Sequence, residues 1–412
     1  MALRVLLLTQ WFDPEPAFKG LSFAKELARQ GLNIEVVTGF PNYPGGMLYP
    51  GFKIKPLQYE FIDGIKITRV ALYPSHNSSF IKRILNYATF AFSSLLYCIF
   101  FIRNVDVIYA YHPPLTVGVT ASLIRLVRGI PVVYDIQDLW PDTLQATGML
   151  KNEKLLSLVG KVCTQVYKKM DKIVVLSPGF KNILIKRGVP AEKIEIIYNW
   201  AAEDKLNTNL RDAQISVDGC EEFRLLFAGN MGAAQGLNAI LEAASILKKR
   251  EVPVKIIFVG AGLKLLELKN KASDLKLSNV LFLPPVPMSK IEAYLRSADA
   301  LLVHLKNDKL FEITIPSKTQ AYMSIGKPLL MAVRGDAANL IKLADCGVLA
   351  EPENPEDIAK SVEYMVNLTS QAREDMGRRG LDFYSQHFSL SVGGGKFKKV
   401  FEDVVQNNKK NH

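Results

Sequence analysis

Three stretches of the chain gather residues suited to holding a charged ligand. In FAGNMGAAQGL (227–237), an apolar run enters glycines at Gly229, Gly232 and Gly236 and then a helix-period segment. Glycines let a backbone approach a diphosphate closely, and a helix N-terminus offers free N–H groups with a partial positive charge. The cations such a loop would use are missing, because Asn230 and Gln235 stand where Arg or Lys is expected. A glycine turn without a ligand would read the same way.

The second stretch is FEITIPSKTQAYMSIGKP (311–328). Pro316 and Ser317 suit a helix start, where a proline's missing N–H costs nothing. Lys318 then falls in the first helical turn as a mobile point charge for a phosphate. Glu312 is expected on the loop just before, at the C-terminal end of a strand, where ligand-binding residues gather in open α/β sheets. Taken singly, a surface lysine and a solvated carboxylate account for both. The third stretch, DVIYAYHPPL followed by VVYDIQDLWPDTL, ends one strand with His112 and the next with Asp135 and Asp138. A histidine and two carboxylates at neighbouring strand ends form a polar site. The alternatives are a structural His112, and Asp138 and Asp142 acting as caps of the helix that follows.

Parallel strands would have to position these residues. Strand-length apolar runs recur at 4–9, 33–38, 65–71, 106–111, 131–136, 172–177 and 194–199, and then at 224–229, 255–260, 280–284, 300–305, 328–333 and 347–350. Helix-period segments lie between most of them, such as FAKELARQG, which stops at Gly31. Such alternation predicts α/β architecture with parallel sheets covered on both faces. The pattern lapses over 199–222, a polar linker. Two doubly wound, Rossmann-like domains follow, 1–199 and 200–386, facing a central cleft where ligands bind. A C-terminal helix at 387–412 would cross back to the first domain, with the glycines at 393–395 as either a hinge or a plain loop.

The 412 residues are 49% hydrophobic and 22% charged, a globular balance. Four scattered cysteines fit neither a disulfide framework nor a zinc site, which points to a reducing cytoplasm. The net charge of +11 is uneven: residues 1–199 carry 23 Lys and Arg against 14 Asp and Glu, the remainder 28 against 26. A basic first half suits an anionic membrane surface or a lipid diphosphate, or is simply a solvated face. Nucleic acid is disfavoured, since no helix-turn-helix, zinc finger or RNA-binding aromatic signature is present. The nineteen uncharged residues 84–102 have the length of a membrane span. Asn86, Thr89, Ser93 and Ser94, and the strands on both sides, favour a helix buried under the sheet; a helix dipping into the bilayer surface comes second and a true span third. Serine-hydrolase, zinc-protease, P-loop and dinucleotide-fold motifs are all missing.

GNMGAAQGL, FLPPVPMSKIEAYLRSADALLVHL and PSKTQAYMSIGKP resemble the donor half of family 4 retaining glycosyltransferases, whose architecture is GT-B. QWFDPEPAFKG, TGFPNYPGG and DIQDLWPD resemble the bacterial O-antigen and capsule branch that contains WbuB-like L-fucosamine (FucNAc) transferases and colanic-acid transferases. The resemblance implies that Gly20 approaches the donor diphosphate, that His112 lies near a histidine contacting the donor sugar, and that Glu312 is the first glutamate of an E-x7-E pair. Residues 229–236 would run beneath the pyrophosphate, and Val286, Pro316, Ser317 and Lys318 would join the nucleotide-sugar site. Two positions depart from the family: the loop cations are Asn230 and Gln235, and the second glutamate is replaced by Gln320 or Ala321, depending on where the count starts. Lys318, helix N-termini and Asn/Gln hydrogen bonds are expected to replace the lost cations.

The implied activity is retaining transfer of a sugar, N-acetyl-L-fucosamine from a UDP-linked donor, to a hydroxyl of an undecaprenyl-diphosphate-linked saccharide. His112, Asp138, Glu312 and Lys318 would carry it. No metal and no cofactor beyond the donor are expected, and the protein is placed in the cytoplasm, peripheral at the inner face of the plasma membrane. Alternatives are a sugar-nucleotide epimerase of GT-B fold, a catalytically degenerate scaffold and a solute-binding protein, the last expecting an export signal that is not visible here.

Overall fold

The computed structural model describes residues 2–75, 80–112, 114–146, 149–150, 152–203 and 222–410. Most of the linker, 204–221, lies outside the described residues. The chain divides into two compact units, Met1–Tyr198 with Leu390–His412, and Asn199–Ser389.

The first unit opens with β1 (Arg4–Leu8), α1 (Leu21–Arg29), β2 (Asn33–Gly39), β3 (Leu57–Ile62) and β4 (Ile65–Val70). It continues through α2 (Phe80–Phe100), β5 (Val107–Tyr111), α3 (Leu115–Arg128), β6 (Val132–Ile136) and α4 (Asp142–Ala146). The series closes with α5 (Glu153–Lys169), β7 (Lys172–Val175), α6 (Pro178–Lys186) and β8 (Ile194–Ile196). Eight strands run in the order β3-β4-β2-β1-β5-β6-β7-β8. Every pairing is parallel except β3 with β4, a hairpin turned at Asp63 and Gly64, which have φ of 49° and 81°. The central strands are buried along their whole length, as Val132–Ile136 shows, which is why they read as continuous apolar runs.

The second unit holds β9 (Phe223–Ala228), α7 (Asn238–Lys249), β10 (Val254–Val259), α8 (Leu265–Asp274), β11 (Val280–Leu283) and α9 (Met288–Ser297). Then come β12 (Ala300–His304), α10 (Lys309–Glu312), α11 (Ser317–Met323), β13 (Leu329–Ala332), α12 (Gly335–Ala344) and β14 (Gly347–Ala350). Two helices, α13 (Pro355–Asn367) and α14 (Ser370–His387), follow. The sheet order is β11-β10-β9-β12-β13-β14, all parallel. Leu225, Phe227, Ile240, Phe258 and Leu302 form its buried centre. In both sheets the strand order reverses beside the first strand (β1 or β9), which places a crevice at its C-terminal end.

Helix α15 (Leu390–Lys410) belongs to the first unit, where Phe397 meets Phe23 at 5.1 Å and Tyr109 at 5.3 Å, both edge-on. Glycines 393–395 lie inside this helix rather than in a hinge or loop. At Gly394 a Cβ would stand 2.9 Å from Glu26 Cγ and from Gln30 Nε2 on α1, so glycine permits the close helix contact. The expected burial of 84–102 is also corrected. One face of α2 packs inward through Asn86, Phe90, Ser94 and Cys98, while Ile81, Ile84, Leu85, Phe92, Leu96 and Phe100 are exposed. Its apolar residues outnumber what one sheet-facing stripe can bury. By length and composition Ile81–Phe100 could cross a membrane, and 28% of its most apolar window is buried.

Candidate functional site

In the second unit the glycine loop leaves β9 and is built by backbone packing. Gly229 has φ of 131°, and a Cβ on it would lie 2.8 Å from Lys318 Cε. Lys318 sits in the first turn of α11, with its ammonium 4.4 Å from the centre of the Phe227 ring. Burial lowers its pKa from 10.5 to about 8, and no carboxylate among the described residues offsets that cost. The lysine is therefore a desolvated cation folded over the first glycine of the loop.

Further groups hold the loop's shape. At Gly260 a Cβ would stand 2.1 Å from the Gly229 carbonyl oxygen, and at Gly262 2.4 Å from that of Met231. The turn after β10 thus lies directly on the glycine loop. His304 Nε2 accepts the Glu353 N–H at 3.1 Å, which leaves Nδ1 protonated and donating to the Gln235 carbonyl at 2.6 Å. Burial lowers the His304 pKa, in keeping with this neutral tautomer. Gly236, at φ 55°, leaves room for the His304 ring and for Lys306 Cγ, each 3.0–3.2 Å from where a Cβ would be.

The expected hydrogen-bonding residues divide. Gln235 turns inward, its Oε1 accepting the Gly232 N–H at 3.0 Å, so it braces the loop instead of facing a ligand. Asn230 is exposed, with its amide beside Gly232. Glu312 ends α10 rather than lying on a loop. Its carbonyl is seated against Gly335, whose φ of 69° and missing Cβ admit a contact that would otherwise close to 1.8 Å. Pro316 caps α11, Ser317 is exposed beside Lys318, and Val286 is half-buried after β11. Gln320 is buried with Oε1 unpartnered among the described residues. Sequence reading missed His304, Gly260 and Gly262; the VGAG run after β10 was the available signal. It also missed Lys306, an exposed cation beside Gly236.

The first unit carries a separate cluster at the ends of β1, β5 and β6. Asp135 is fully buried and binds Lys19, Tyr109 Oη at 2.6 Å and Gln137 Nε2 at 2.6 Å. Those bonds occupy it structurally. Asp138, two residues past β6, is held above its usual pKa by burial. His112 is enclosed edge-on by Tyr134 and Trp140, and burial drives its pKa down to about 3. Its Nδ1 has no partner among the described residues. At Gly20 a Cβ would lie 2.2 Å from Asp13 Oδ2, and the same oxygen accepts the Leu21 N–H at 2.6 Å. The start of α1 is thus already capped by a carboxylate. Nearby, Glu15 accepts the N–H groups of Asn42 and Tyr43, both at 2.7 Å, and burial raises its pKa to about 7. Among the described residues, no three His, Cys, Asp or Glu side chains are grouped to hold a metal ion.

Two Rossmann-like units with largely parallel sheets, the second carrying a glycine loop braced at its first strand, define the GT-B fold. The fold neighbours agree. Anabaena HepE in complex with UDP and glucose aligns over 97% of this chain and all of that one, with TM-score 0.67 and 15% identity. Sucrose-phosphate synthase from Thermosynechococcus elongatus aligns over 98% of this chain and all of its own, with TM-score 0.71 and 13% identity. The profile for a glycosyl transferase 4-like domain matches residues 21–200, and that for glycosyl transferases group 1 matches 212–382. The chain belongs to this group 1, family 4-like glycosyltransferase family. The putative colanic acid biosynthesis glycosyl transferase WcaI of Escherichia coli is 27% identical over 311 residues, 73% of this chain and 75% of that protein. The probable glycosyltransferase WbjE of Pseudomonas aeruginosa is 24% identical over 296 residues, 70% of this chain and 73% of its own length.

Proposed function

We propose that this glycosyltransferase builds a bacterial surface polysaccharide, taking a UDP-linked sugar as donor and a lipid-diphosphate-linked saccharide as acceptor. The observation that carries the reading is the desolvated Lys318 ammonium lying on Gly229, where the loop backbone is open to a diphosphate. N-acetyl-L-fucosamine is the proposed sugar and undecaprenyl diphosphate the proposed carrier, for O-antigen or capsule, supported by the motif resemblance and by relatives such as WcaI. Transfer proceeds with retention: the acceptor oxygen bonds to the anomeric carbon on the face from which the diphosphate leaves, and a departing phosphate oxygen takes the hydroxyl proton. Lys318 offsets the leaving-group charge, Lys306 stands at the loop's far end, and Asn230 and Ser317 offer hydrogen bonds. In the second unit Glu312 orients donor-sugar hydroxyls, and in the first unit Asp138 and His112 orient sugar or acceptor hydroxyls. Such a site works by positioning and preorganised charge rather than by a strong base. No metal takes part, and the enzyme works at the inner face of the plasma membrane, with the exposed apolar face of α2 against the lipid.

The test is incubation with UDP-N-acetyl-L-fucosamine and a synthetic polyprenyl-diphosphate saccharide in EDTA. The product is read by mass, and its anomeric configuration by NMR. A lipid product one sugar heavier with retained configuration supports the reading, and an inverted product contradicts it. A degenerate scaffold is the second reading, favoured by the inward turn of Gln235 and by Gln320 at the glutamate position. UDP binding without transfer to any lipid saccharide would select it.

A further inference from the structure

The first unit contains a partly open apolar cavity of about 330 Å³. Its walls are Ile84, Tyr87 and Ala88 on α2, Leu115 and Val119 on α3, and Val159 on α5, closed by Trp140 and the 149–150 segment. The volume lies at the low end of the roughly 300–1,000 Å³ that small-molecule sites occupy.

Four features bear on what it could hold. Arg83 is on the lining and has no hydrogen bond or ion pair among the described residues. A guanidinium so placed suits a phosphate. Ile84 both lines the cavity and is 46% exposed, so the lining runs without a break onto the exposed apolar stripe of α2. Trp140, also on the lining, packs edge-on against His112 beyond β5. Thr116 Oγ1, on the lining, is buried and unpartnered among the described residues. The cavity thus combines an apolar lining continuous with the exposed stripe of α2, a guanidinium, and a wall shared with His112 at the strand ends.

We propose that this cavity binds the first isoprene units of a polyprenyl diphosphate carrier, with Arg83 on its phosphates. The assignment rests on the lipid-linked acceptor proposed above. It makes the carrier, and not only the sugar, a recognised part of the substrate.

The experiment is calorimetric titration of the full chain with geranylgeranyl diphosphate in detergent-free buffer. Geranylgeraniol, inorganic diphosphate and dodecyl phosphate serve as comparison ligands. Val119→Trp and Ala88→Phe fill the cavity from opposite walls, and Arg83→Gln removes the cation. Thermal stabilisation by UDP, which concerns the second unit, reports on each variant separately. The expected result is binding of geranylgeranyl diphosphate that either cavity-filling change weakens at least tenfold. Arg83→Gln should weaken the diphosphate about tenfold and leave geranylgeraniol unchanged. Equal affinity in wild type and both filled variants would overturn the proposal, as would inorganic diphosphate binding as tightly. Equal binding of dodecyl phosphate would overturn the isoprenoid assignment. Loss of UDP stabilisation with intact prenyl binding would sink the transferase reading and leave the cavity assignment standing.

Discussion

Replacing Lys318 with methionine keeps an unbranched stem against Phe227 and removes the ammonium. Burial holds the Lys318 pKa at about 8, against 10.5 for an ordinary lysine. At about 1.4 kcal/mol per pH unit, that difference is about 3 kcal/mol of unrelieved desolvation. Between pH 8 and 10.5 the unfolded chain binds more protons than the folded one. The cost is therefore present in full below pH 8 and fades as pH rises to 10.5. A diphosphate beside the ammonium would pair with it and return its pKa towards 10.5. The same ~3 kcal/mol then appears as binding free energy, roughly 10²-fold in affinity. Isothermal titration with UDP at pH 7 should show Lys318→Met binding about a hundredfold more weakly than wild type. Wild-type affinity should decline from pH 8 to pH 10 with proton uptake on binding, while the variant's stays flat. Without ligand, the variant should be more stable than wild type at pH 7, because a buried charge has gone. Equal UDP affinities, or a wild-type affinity indifferent to pH across that window, would refute the assignment.

The other predictions concern the scaffold of each unit. Gly229→Ala imposes φ of 131° on a side chain and drives a Cβ to 2.8 Å from Lys318 Cε. It should cost about 1–3 kcal/mol in a urea melt and weaken UDP binding. His304→Ala removes both bonds that tie Gln235 to Glu353 and should lower stability by about 1–3 kcal/mol, read by thermal unfolding. Folded His112 stays neutral down to about pH 3, so wild type loses stability as pH falls below 6.5, and by pH 4 the loss is about 3 kcal/mol. His112→Phe should flatten that part of the urea-midpoint profile, and an unchanged slope would reject the burial argument. Gly394→Leu should separate α15 from α1 at a cost of about 1–3 kcal/mol, visible as a lower Tm.

Continuous apolar runs made the parallel strands readable, because a strand buried on both faces has no polar alternation to obscure it. The strand at Leu57–Ile62 went unread, although Asp63 and Gly64 between two β-prone runs carry a hairpin signal. It is a half-exposed edge strand, and its alternation is weak. The placement of Lys318 in the first turn of α11 followed from Pro316 and Ser317, since local chemistry sets a helix start. What letters near each other could not show was contact between distant segments. Gly260 under Gly229, and His304 bridging Gln235 to Glu353, exist only once four strand ends converge. For the same reason the glycines at 393–395 read as a break, though they are a helix surface shaped by Glu26 and Gln30. The inward turn of Gln235 depends on a single rotamer, which composition does not encode.

The proposed function requires the loop at Gly229 to hold a nucleoside diphosphate without a metal ion. Thermal unfolding with UDP, GDP, ADP and dTDP, first in EDTA and then in Mg²⁺, tests it directly. UDP at a hundred times its dissociation constant should stabilise the protein by about 2.7 kcal/mol, equally with and without Mg²⁺. No response to any nucleotide, or a response that appears only with Mg²⁺, would contradict it.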